Sequence, residues 1–215
     1  MRKEVPTTLC LLLICAVTVG HAETVRLSRD AVPLAAGVTM DFATEQRVGF
    51  VDHYTARISL LEVRERGPQS SLRFRWRMFG ASRHPGYDET GEVTVTGLAD
   101  GNALNGWWGA PQMTTRDTHL WLSRAACEDL KHKGTTLYAL DIVKRRDEPM
   151  PLVVTGTRKF PVEIDGTLRE VPALTLRSER GDHLVLMADC RNPLVLEIDV
   201  PKLYRATLTH VRTAL

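Results

Sequence analysis

Residues Pro151–Val200 read PLVVTGTRKFPVEIDGTLREVPALTLRSERGDHLVLMADCRNPLVLEIDV. Apolar runs of strand length alternate there with turn signals: Asp165-Gly166, then Glu179-Arg180-Gly181-Asp182, then Arg191-Asn192 before Pro193. An Asp-Gly pair between two such runs signals a hairpin, because a two-residue primed turn needs positive φ at its centre. The stretch therefore predicts a β-meander. It is uniformly apolar and poor in convergent polar groups. It reads as scaffold, and its turns are explained by geometry alone.

Upstream, Leu72-Arg73-Phe74-Arg75-Trp76-Arg77-Met78 alternates strictly. Leu72, Phe74, Trp76 and Met78 share one face of the predicted strand, and Arg73, Arg75 and Arg77 share the other. Thr55–Arg64 alternates less strictly, and Gly67-Pro68 separates the two runs, so they predict a hairpin across 65–70. Further strands are predicted at Glu23–Ser28, Thr90–Leu98, Thr118–Leu122, Thr136–Val143 and Tyr204–Val211. The last should hold Tyr204, Ala206, Leu208 and His210 on one side. Asp30–Thr44 is loose and reads as a covering loop or a short helix.

One helix is expected at about 123–133. Ser123 suits the N-cap, Ala125 and Ala126 favour helix, Lys131-His132-Lys133 suit the last turn, and Gly134 stops it. Turns rather than crossover helices separate the strands, which argues for antiparallel pairing. The expected fold is mainly β: an antiparallel sandwich or a curved, partly open barrel of about ten strands with one short helix. No repeat recurs.

The N-terminus points to export. Arg2 and Lys3 precede an apolar run, Leu9–Val19, and Gly20-His21-Ala22 supplies small residues for a cut after Ala22. Residues 1–22 are read as a signal peptide and 23–215 as one exported β-rich domain, periplasmic or secreted. The apolar run is short for the ~30 Å of a bilayer core, and no transmembrane segment is expected in the mature chain. Removing residues 1–22 takes away Arg2, Lys3 and Glu4. The 28 basic and 26 acidic residues become 26 and 25, and a balance this even gives no support to a nucleic-acid partner.

Cys127 and Cys190 remain after the cut. In an oxidising compartment two such cysteines most often pair, which would fasten the helix to the meander; two buried thiols are the alternative. Neither has a C-x-x-C partner.

Catalytic motifs are missing from the sequence. There is no G-x-S-x-G, no H-E-x-x-H and no phosphate-binding glycine loop, and no metal or cofactor is expected. Asp117-Thr118 lacks the glycine of an aspartic-protease motif. Two features remain as candidate binding residues. Arg73, Arg75 and Arg77 form a row of cations, read as an outer face paired with acids such as Glu62 or as a docking stripe for an acidic partner. Trp107-Trp108 lies in a Gly/Asn/Pro-rich stretch, where exposed indoles would suit a sugar or a partner hot spot; alternatively one indole plugs the end of the barrel.

The functional expectation is a non-enzymatic exported domain with a binding or envelope-assembly role. Its partner would be an envelope protein, or an apolar ligand in the hollow of the sheet. The alternative is an exported hydrolase whose site gathers residues among Asp52, His53, Asp117, His119, Asp182, His183 and Asp189 only on folding.

Overall fold

The computed structural model describes residues 32–49, 51–65, 70–80, 88–106, 112–141 and 148–213. The predicted signal peptide, the strand expected at 23–28 and the Trp107-Trp108 pair lie outside them. Twelve strands and one helix follow in chain order. The strands are β1 (Thr39–Gln46), β2 (Asp52–Arg64), β3 (Ser71–Phe79), β4 (Asp88–Val95), β5 (Ala103–Asn105), β6 (Gln112–Thr115), β7 (Thr135–Asp141), β8 (Met150–Ile164), β9 (Thr167–Ser178), β10 (His183–Met187), β11 (Val195–Val200) and β12 (Tyr204–Arg212). The helix α1 (Arg124–Lys133) falls between β6 and β7.

All twelve strands belong to one sheet, in the order β5-β7-β8-β9-β10-β11-β12-β1-β2-β3-β4-β6. A further pairing of β8 with β12 closes the five strands β8 to β12 into a ring. The predicted meander supplies four of these five strands. The sheet is therefore mainly β and partly closed, as expected. Not every pairing is antiparallel, however: β4–β6, β5–β7 and β8–β12 are parallel.

The local signals translate directly into these elements. Asp165 and Gly166 take φ of 50° and 75°, the primed turn that Asp-Gly favours, and Ile164 pairs with Thr167 across it. Ser123 caps α1 by accepting a hydrogen bond from the Ala126 amide, and Gly134 ends it at φ 73°. In β3, Leu72, Phe74, Trp76 and Met78 are buried while Arg73, Arg75 and Arg77 are exposed.

Three local expectations are corrected. The segment 30–44, read as loop or short helix, contains most of β1. Its alternation is hidden because Asp41 is buried beside Phe42, at a register shift against β12. The carboxyl of Asp41 is tolerated there because Arg57 donates two hydrogen bonds to it and Arg212 a third. Burial pushes this carboxyl up, but the hydrogen bonds and charge of Arg57, with the charges of Arg212 and His210, hold it below its usual range.

Thr118–Leu122 is not a strand. All five side chains are buried, so the segment threads through the interior. Its main chain bonds to Ala103, Asn105, Pro193 and Val195, tying β5 to the start of β11. His210 is exposed instead of facing inward with Leu208. The register shift opposite Asp41/Phe42 puts an extra residue, Thr209, into β12, which turns Val211 inward in place of His210.

The core is continuous. Trp121, Tyr138, Phe74, Ile58, Leu152 and Leu184 are among its largest fully buried side chains. α1 buries Ala126, Cys127 and Leu130. Cys127 and Cys190 form a disulfide that joins the helix to the β10–β11 connection. Close by, the buried Asn192 accepts a hydrogen bond from Trp121 Nε1 at 2.8 Å and donates one to the Val32 carbonyl at 2.8 Å. Asn192→Ala leaves both buried groups without that partner, and a loss of about 2–4 kcal/mol is expected in urea unfolding.

Candidate functional site

The sheet opens along β8. This 15-residue strand pairs with β9 from Leu152 to Ile164 on one edge. Its other edge is shared. β7 takes Met150–Val153, and the Val154 amide donates to the Gly134 carbonyl. β12 takes only Glu163 and Ile164, through His210 and Val211. Between these two grips β8 and β12 diverge, and a cleft of about 420 Å³ lies in the gap.

Alternation in the strands decides what lines it. Phe160, Val162 and Leu208 are buried and form an apolar floor. Arg158, Lys159, Glu163, Glu197, Thr207 and Thr209 give it a polar rim. Leu168 stands at the lip with 73% of its surface exposed, the highest value among the large apolar side chains described.

The rim is electrostatically organised. Glu197, with its side chain only 12% exposed, faces Arg158 at 3.3 Å, Arg205 at 3.6 Å and His183 at 3.8 Å. The Arg158 guanidinium also sits 5.2 Å over the Phe160 ring, so it spans the cleft from a fixed base. Glu163 pairs with His210 at 3.5 Å, and Lys159 with Glu170 at 3.2 Å.

The register of β8 also fixes where its main-chain groups point. Ile164 and Thr167 flank the two-residue turn and so exchange hydrogen bonds, as do Val162–Arg169, Phe160–Val171 and Arg158–Ala173 in turn. The intervening residues direct their polar groups to the other edge. Glu163 meets β12 there and Pro161 has no N–H. The amides and carbonyls of Thr157 and Lys159 therefore face the opening. Among the described residues no main-chain partner pairs with this edge between Val154 and Glu163.

The residues singled out in the sequence lie elsewhere. Arg73, Arg75 and Arg77 project from the outer face of β3 and each meets an acid. Arg73 faces Glu92 at 3.6 Å and Glu62 at 3.8 Å, Arg75 faces Glu92 at 2.6 Å, and Arg77 faces Asp88 at 2.5 Å. The hydrogen bond from Arg77 holds the Asp88 carboxyl below its usual range. Glu62, named from the sequence as a neighbour, is one of these partners, and the row is a charge-compensated outer face.

The seven Asp and His residues of the hydrolase alternative are held by separate local contacts. Asp52 accepts from the His53 amide, Asp117 from Thr115, Asp182 from Ser178 and Asp189 from Arg191. His183 faces Glu197. His119 is buried, stacked on Phe74 with ring centroids 5.4 Å apart, and its Nδ1 bonds the Asn105 carbonyl. Apart from the bond between adjacent Asp52 and His53, none of these contacts joins two members of the set. Among the described residues no three His, Cys, Asp or Glu side chains are grouped to hold a metal ion.

The apolar hollow expected inside the sheet is small where it is described. Leu104, Gly106, His119, Leu120, Val195 and Ile198 line a pocket of about 30 Å³, room for little more than a water molecule. The cleft instead borders the meander that the sequence marks as scaffold. One signal for it was available: Pro161 inside a strand-length run restricts that run to an edge.

The fold and cleft define a partly closed β-sheet protein, disulfide-linked, with an open seam. No helix among the described residues is long and apolar enough to cross a membrane. Comparison with known proteins gives no match: no family model, no curated protein and no solved structure is similar to this chain.

Proposed function

We propose that this chain is an exported, non-enzymatic β-domain that binds a partner polypeptide of the cell envelope at the seam between β8 and β12. The observation that carries this reading is the open cleft of about 420 Å³, with an apolar floor, a charged rim and Leu168 exposed at its lip. Its size falls in the range of binding sites, about 300–1,000 Å³. A polypeptide fits it better than an apolar small molecule, because charged side chains and strand edges make up much of its wall. The pocket of about 30 Å³ leaves no room for a lipid-sized guest at that place. Export follows from the N-terminal pattern and is supported by the Cys127–Cys190 disulfide. Trp107 and Trp108 remain candidate contacts with the same partner.

The test is site-specific photocrosslinking in the native host. A photoreactive phenylalanine analogue at Leu168 should give one discrete adduct, and the same group at Arg75 should give none. An adduct from position 75 alone would move the binding surface to the arginine row. Silence from both would remove the support for this reading.

A further inference from the structure

The open edge of β8 identifies the form of the occupant. We infer that the cleft takes an extended, acidic segment of a partner chain, which adds to β8 as a strand. This inference rests on the binding role proposed above and specifies its chemistry.

Two observations carry it. The first is the hydrogen-bonding capacity of the edge. Thr157 and Lys159 direct their amides and carbonyls into the gap, on a strand whose opposite edge is fixed along its length by β9. A chain laid alongside them completes the ladder between the β7 grip and the β12 grip. Pro161 has no donor to offer, so the usable edge is short, which selects a single short strand over open-ended sheet growth.

The second observation is charge. At the mouth of the cleft Arg158, Arg205 and His183 converge on the one carboxylate of Glu197. Arg205, at 3.6 Å, stays beside that carboxylate without Arg158. The Arg158 guanidinium, propped on Phe160, is then available to an acidic side chain of the incoming strand. The favoured segment carries its acidic residues on the same face as its apolar ones: the acid toward Arg158, the apolar residues toward Phe160 and Val162.

The test titrates full-length mature protein with the peptide acetyl-Thr-Glu-Thr-Val-Thr-Val-Thr-Glu-Thr-amide, whose Glu and Val share one face, followed by backbone amide NMR. The Thr157 and Lys159 amides should shift and become protected from exchange. A peptide with Lys in place of Glu should bind at least tenfold more weakly. Lys159→Pro removes one donor from the open edge and none from the β9 ladder, so the β1 and β2 signals should stay in place while binding falls roughly tenfold or more. Lys159→Ala, which keeps the amide, should bind much nearer to wild type.

Wild-type binding by Lys159→Pro overturns strand addition. So does equal binding of the two peptides, or the lack of any shift at Thr157 and Lys159. Self-association abolished by Lys159→Pro without peptide would assign the edge to a second copy and equally overturn the inference. If these results fail while Leu168 still crosslinks, the binding role stands and only the strand mode falls; if crosslinking fails as well, the binding role falls with it.

Discussion

Replacing Cys127 and Cys190 together by alanine is expected to lower the stability of the folded chain by about 4 kcal/mol, the entropy of closing a loop of this length in the unfolded state. The two cysteines are 63 residues apart in sequence, and the segment between them includes β7, β8, β9 and β10. For a chain of this size such a loss lowers the melting temperature by roughly 8–16 °C, readable by calorimetry on oxidised protein and on the double variant. Cys127 is fully buried and Cys190 nearly so, which makes a second outcome measurable. A mild reductant should leave the native bond intact at neutral pH and open it only when denaturant exposes it. Equal melting of the two forms would mean that α1 is held by its apolar face alone, through Ala126 and Leu130.

The second large effect is sensitivity to mild acid, centred on His119. Burial pushes this imidazole down to about 4, against the opposing influence of the Asn105 carbonyl. In the unfolded chain it titrates near the ordinary value of about 6.5. Above that value both states are neutral and the full stability is present. As the pH falls from about 6.5 toward 4, the unfolded chain takes up a proton that the folded chain refuses, and stability is lost. The loss is on the order of 3 kcal/mol and levels off below the folded value. The Asp41 carboxyl acts in a lower window: held below its usual range, it withdraws its contribution only as the pH falls through the carboxylate range. Urea midpoints at pH 7 and pH 4.5 should therefore differ clearly in the wild type. In His119→Phe, which keeps a ring against Phe74, they should nearly coincide. An unchanged difference would place the acid-labile group elsewhere.

What was legible in the sequence was what a short window determines. Strict alternation from Leu72 to Met78 gave both faces of β3. Ser123 and Gly134 gave both ends of α1, because each satisfies orphan backbone groups within one turn. Asp165-Gly166 gave the hairpin that starts the register of β8 and β9.

The failures share a cause. At Asp41 a buried carboxylate interrupts the alternation, and it is stable only because Arg57 and Arg212 come from other strands. At Thr118–Leu122 the burial is decided by what surrounds the segment and not by any period within it. At His210 the extra residue in β12 is visible only against its pairing with β1. The cleft was out of reach for the same reason. It exists because β12 returns to touch β8 at just two residues, a contact between chain segments about 47 residues apart that no local pattern records. The arginine row could be read, together with its acidic neighbour Glu62, because cross-strand neighbours in a hairpin follow from the sequence itself.

The position of β1 has a consequence for the timing of assembly. The first described strand lies between β2 and β12, so the earliest described strand is flanked by the last described one. The β2–β4 half and the β8–β11 half are joined in the strand order only through this pair. Until Tyr204–Arg212 has been made, β1 has an unsatisfied side and the ring from β8 to β12 has no closing member. The sheet therefore cannot be completed before residues 204–212 have been synthesised. Strand order alone thus delays closure of the ring until this non-local pairing can form.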